Sequence, residues 1–63
     1  MKITKKHVGL RVRMVCRSDG FGFQQVGVVA AADRWSFSFM QDLASWTQPL
    51  TLGLWRIVEV LPR

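Results

Sequence analysis

A single cysteine, Cys16, excludes an intrachain disulfide, and tyrosine is absent. With one cysteine and one histidine, His7, the chain cannot assemble an ordinary four-ligand zinc site, so no metal or other cofactor is expected. Acids are scarce too. Asp19, Asp33, Asp42 and Glu59 are the only ones, and they fall on separate turns and strands with no evident carboxylate pair. His7 sits in the N-terminal stretch and reads as exposed rather than as a general base. Catalysis therefore has no foothold, and the chain is expected not to be an enzyme. Long apolar runs are also missing. The start, MKITKKH, has the charge of a signal-peptide leader region, but Arg11 and Arg13 interrupt the apolar stretch VGLRVRMV that follows. No run reaches the length of a membrane span. The expectation is a soluble cytoplasmic protein with no membrane partner and with Cys16 reduced.

What is present is aromatic and basic. Sixty-three residues make one small domain, 1–63, with a basic N-terminal arm. A chain this short buries only about 60% of its unfolded surface, so it needs a dense core or a partner. Three tryptophans and four phenylalanines supply the core material. Nearly half the residues are apolar (49%), so surplus apolar surface is expected, which either a partner or a homodimer would cover. The net charge is +5, and residues 1–17 hold six cations (Lys2, Lys5, Lys6, Arg11, Arg13, Arg17) and no acid. That asymmetry points to a polyanion or to an acidic protein surface. A merely solvated basic face reads equally well from the same residues.

Residues 10–16, LRVRMVC, alternate with period two, as a half-buried strand does, with Leu10, Val12, Met14 and Cys16 on the apolar side. RSDG then reads as a turn. FQQVGVVAA, residues 23–31, is a second strand whose interior Gly27 signals a bulge, a bend or a close backbone approach. Asp33 and Arg34 fall in the next turn. Trp35, Phe37 and Phe39 alternate with Ser36 and Ser38 as a third strand and are expected in the core with Val12, Met14, Val28 and Val58. Residues 40–48 are ambiguous. Phe39, Leu43 and Trp46 have helical spacing, whereas Gln41-Asp42 reads as a hairpin turn between strands. Gly53 marks a tight turn, and Arg56 to Leu61 reads as a closing strand stopped by Pro62. Four or five short strands with frequent turns imply an all-β barrel or sandwich.

VGLRVRMV at 8–15, VGVVAA at 26–31, WSFSF at 35–39 and LWRIVEVLP at 54–62 together resemble small SH3-like barrels of the KOW and Tudor type, of the kind found in phages and prophages. The resemblance covers nearly the whole chain. It implies a barrel of four to five antiparallel strands in which a tight turn leads into a short closing strand. DGFGFQQV with WSFSF is similar to the paired strands of cold-shock domains, which implies an OB-like barrel as the alternative, and a β-barrel with one short helix near 39–47 is another. A full RRM is excluded, because too few residues precede Gly20-Phe21-Gly22-Phe23 for the elements that must come first.

Two binding functions follow. Lys5, Lys6, Arg11, Arg13 and Arg17 can line a basic strand face that follows a nucleic-acid backbone, DNA or RNA, with Phe21 or Phe23 stacking on bases. Gly20-Phe21-Gly22-Phe23 reads first, however, as a loop that turns the chain into the second strand, with one phenylalanine capping the core. The other class is protein binding, with Trp46, Trp55 and Arg56 displayed as an interaction hot spot, for example to inhibit a host protein. Against it, both tryptophans also suit the open ends of a barrel.

Overall fold

The alternation along the first basic stretch becomes strand β1, Arg11–Cys16. Val12 and Met14 are fully buried, while Arg11, Arg13 and Val15 remain partly exposed on the opposite face. The computed structural model describes residues 2–17 and 24–62. The expected RSDG turn and the two phenylalanines Phe21 and Phe23 fall outside the described residues. Four further strands follow: β2 (Gln24–Ala32), β3 (Ser36–Gln41), β4 (Gln48–Thr51) and β5 (Trp55–Val60). All pairings are antiparallel, in one sheet of order β4-β3-β2-β1-β5. The protein is all-β, and the only helical elements among the described residues are short 3-10 turns.

A flat five-stranded sheet leaves one face open to water. Here Val12, Met14, Val29 and Phe39 are each at 0% exposure, so the sheet wraps around its own inner face. Three features permit the bending. Against β1, the register of β5 slips between Ile57 and Glu59, leaving Val58 as an extra, bulged residue. Between β2 and β3 it slips from Val29 to Ala31, leaving Ala30 as the extra one. At Gly27, a side chain would collide with the backbone of Met40 and Gln41, so the two strands approach more closely there than any other residue allows. The expected close approach at Gly27 is realised. The edges of the sheet are blunted, by Pro49 on the short β4 and by the bulge on β5.

The core comprises Ile3, Val12, Met14, Val29, Phe37, Phe39, Trp55 and Ile57. Phe37 and Phe39 meet edge to face, with centroids 6.3 Å apart and rings at 77°. Three members of the expected core belong elsewhere. Trp35 is 77% exposed, because β3 starts one residue later: Asp33 N–H donates to Ser36 C=O (2.8 Å), and Trp35 falls inside that turn, where strand alternation does not hold. Val58 is 47% exposed, because it is the bulged residue of β5. Val28 lies half-buried on the outer face, opposite Arg11 and Met40.

The basic N-terminal segment packs against the sheet. Ile3 is buried, and residues Lys5–His7 form a 3-10 turn capped at Thr4. His7, expected to be exposed, is 8% exposed. Its Nδ1 accepts from Thr4 N–H (3.0 Å), and Thr4 Oγ1 accepts in return from Lys6 N–H (3.3 Å), a reciprocal cap of the kind Glu often completes. Gly9, at φ 87°, then turns the chain so that its N–H reaches Val29 C=O (2.8 Å). The segment is thereby tied to β2.

No short helix forms near 39–47. Phe39 is committed to the inner face of β3 opposite Val29, and the chain turns at Asp42 and Leu43 before returning as β4. Ala44 N–H donates to Gln41 C=O (3.0 Å), and Leu43 takes a φ of 69°, a left-handed value that no α-helix continues.

Candidate nucleic-acid interface

On β1, alternation alone places Arg11 and Arg13 outward, but pairing with other strands decides their charge environment. Register sets Glu59 of β5 directly opposite Arg13, and the two ion-pair at 3.4 Å. Arg11 reaches across β2 to the β3–β4 hairpin, where its Nε donates to Asp42 Oδ1 (3.2 Å) and its Nη2 to Asp42 Oδ2. This two-pronged contact ties the base of the hairpin to β1, beside the Asp42 N–H bond to Val26 C=O (2.9 Å). The middle of the expected basic row is therefore compensated by carboxylates. Lys5 and Lys6 are exposed on the 3-10 turn.

Hydrogen bonding from Arg11 holds the Asp42 carboxyl below the usual carboxylate range, and the same bond raises the Arg11 guanidinium. A depressed folded pKa contributes stability above the unfolded value that disappears as pH falls through the folded one. The ion pair is thus expected to persist through the range near pH ~3.9 where free aspartates protonate, and to open only in stronger acid. In a carbon-detected NMR titration, the Asp42 carboxyl should show a midpoint below that range, restored to the ordinary value by Arg11→Met. A wild-type midpoint no lower than that of Arg11→Met would dismiss the contact.

A different set of cations converges. At the far end of β1, Cys16 pairs with Trp55 and Val15 with Arg56. This register brings Arg17, just past β1, beside the start of β5. Lys2, Arg17, Leu52, Gly53, Trp55 and Arg56 line one cavity of about 580 Å³. Trp55 is buried, at 9% exposure, and contributes to its wall, while Lys2, Arg17 and Arg56 are exposed. Among the described residues no carboxylate ion-pairs with any of these three cations and none lines the cavity. The cavity is a cationic cleft with an apolar aromatic wall.

The structure thus unites Arg17 and Arg56, residues assigned in sequence to different functions. It adds Lys2, Leu52 and Gly53, which carry no motif and join the cleft only through the tertiary fold. Trp55 is not displayed for a partner, because it is packed into the core. Trp46 is 66% exposed at the β3–β4 hairpin, whereas Trp55 is 9% exposed, so the two tryptophans are not displayed alike. Among the described residues no group of three or more His, Cys, Asp or Glu side chains is arranged to hold a metal ion, and no helix is long and apolar enough to cross a membrane. Compared with known proteins, the chain matches no family model, no curated protein and no solved structure. What the cleft can bind has to be read from its own chemistry.

Proposed function

We propose that the chain is a non-catalytic nucleic-acid-binding module that holds backbone phosphates in the Lys2–Arg17–Arg56 cleft. One observation carries this reading: three exposed cations meet at one concave site with no carboxylate partner among the described residues, whereas Arg11 and Arg13 are each compensated. Cations left unpaired on a small domain attract polyanions, and each phosphate they neutralise releases counterions. A guanidinium pair is suited to phosphate oxygens because its donors are planar and paired. The tight turn Leu52–Leu54 leading into β5 beside β1 supports the SH3-like architecture for this module.

Replacing Arg17 and Arg56 together by alanine is expected to weaken binding to single-stranded oligonucleotides and to reduce the slope of log K against log salt by about 1.4, two contacts at roughly 0.7 each. Both side chains are exposed, so the variant is expected to keep the fold. The check is fluorescence anisotropy across a salt series. An unchanged slope would take phosphate binding away from the cleft.

The β3–β4 hairpin favours a second reading. Leu43 is completely exposed in a left-handed conformation, Trp46 stands beside it in sequence, and residues 43–47 carry no charge. Such a neutral apolar tip, anchored by the Arg11–Asp42 pair, suits an uncharged pocket on a partner protein. A complex that survives nuclease and does not weaken with salt belongs to the tip rather than to the cleft.

A further inference from the structure

The cationic cleft has an aromatic neighbour that strand alternation hides. Trp35 C=O accepts from Leu52 N–H (3.1 Å), and Leu52 lines the cleft. One backbone hydrogen bond therefore couples the Trp35 bend to the cleft wall. The indole is 77% exposed, the most exposed tryptophan in the molecule. Its bend is held in place. Asp33 Oδ1 accepts from Arg34 N–H (2.7 Å), Asp33 N–H donates to Ser36 C=O (2.8 Å), and the Arg34 guanidinium carbon lies 5.8 Å from the indole centroid. The Arg34 cation and the ring thus form one unit, held on a short bend at the start of β3.

We infer that the nucleic acid taken by the cleft is single-stranded, and that Trp35 is the platform on which an unpaired base stacks beside the phosphates held by Lys2, Arg17 and Arg56. This rests on the phosphate-binding reading of the cleft. An exposed aromatic ring whose backbone is bonded to the wall of a cleft of cations, none with a carboxylate partner among the described residues, is the kind of combination by which proteins hold single strands. In a duplex both faces of every internal base are covered by its neighbours, and an exposed indole on the protein has no base to receive it. A single strand offers free base faces, and the indole accepts any of them, so sequence preference is expected to be slight. Arg34 adds a cation at the ring and a further donor for the phosphate between cleft and stacked base.

The test compares oligothymidylate with its duplex of the same length, titrated into the intact chain at one fixed salt concentration. Trp35→Ala is expected to lower affinity for the single strand by about 5- to 150-fold and to leave duplex affinity within about twofold. Trp35→Phe, which keeps a ring, is expected to recover most of the loss. Equal unfolding midpoints for the three proteins check that the exposed position is structurally neutral. If Trp35→Ala binds the single strand as tightly as wild type while the Arg17→Ala/Arg56→Ala slope falls, the stacking platform is overturned and the phosphate cleft stands. Equal loss on single strand and duplex overturns the single-strand assignment. If the arginine variant leaves the salt slope unchanged, the cleft itself fails, and the platform beside it fails with it.

Discussion

Alanine at position 27 is expected to remove a third or more of the native stability. A methyl group there would lie 2.7 Å from the Gln41 Cα and 2.9 Å from the Met40 carbonyl carbon, and would overlap the Met40 carbonyl oxygen. All three are backbone atoms, so no side-chain rotation relieves the clash. Relief requires β2 and β3 to separate where Gly27 faces Gln41 and Val28 faces Met40. Separation would also strain the Asp42 N–H bond to Val26 C=O, which holds the base of the hairpin. Overpacking into a side-chain core costs about 1–3 kcal/mol, and a backbone clash lies at or above the upper end. A domain of this length has roughly 3–9 kcal/mol of total stability, so the variant is expected to keep at most about two-thirds of it. Gly53→Ala is the control. A methyl group at Gly53 meets nothing within 4 Å, and stability should stay within about 0.5 kcal/mol. Urea unfolding followed by circular dichroism distinguishes the two, and a Gly27→Ala protein with a native midpoint would contradict the close approach of β2 and β3.

Phe39→Ala is expected to remove about 3–5 kcal/mol, again a third or more of what a chain of this size possesses. Phe39 is at 0% exposure, pairs with Val29 across the inner face, and forms the edge-to-face contact with Phe37. Its loss leaves a cavity that the bent sheet cannot collapse to fill, because Val12, Met14 and Val29 are already fully buried. The contrast with Trp35 is diagnostic. Trp35, Phe37 and Phe39 share one alternation in sequence, yet Trp35→Ala is expected to change stability by only about 0.5 kcal/mol, because the indole stands in water. Thermal unfolding of the two variants side by side makes the comparison. Equal destabilisation would mean that Trp35 packs as its position in the alternation suggests.

Much of the strand pattern was legible because it is local. The period-two repeat of Leu10 to Cys16 predicts β1, and the repeat of Phe37 and Phe39 predicts the inner face of β3. Gly27 announced a close approach by being a glycine inside an apolar strand. Local pattern fails where a strand begins or slips. Trp35 lies one residue before β3, and Val58 occupies a bulge, so neither obeys the parity of its neighbours. His7 and Ile3 read as parts of a charged arm, because nothing in their own sequence shows that β2 receives the segment through Gly9.

The candidate site divides the same way. Composition and the order of residues along the chain determine that the protein is basic, all-β, aromatic-rich, without a disulfide and charged most heavily at its start. These are properties of residue type and of nearest neighbours, and they survive any arrangement of the strands. Which cations find a carboxylate partner is not such a property. Arg11 is thirty-one residues from Asp42, and Arg13 meets Glu59 only through the bulged pairing of β1 with β5. The same pairing draws Arg17 and Arg56 to one cleft beside Trp55, and one backbone bond joins Leu52 of its wall to the Trp35 carbonyl. Charge compensation and convergence depend on distances of a few ångströms between residues far apart in the chain, and strand register sets those distances.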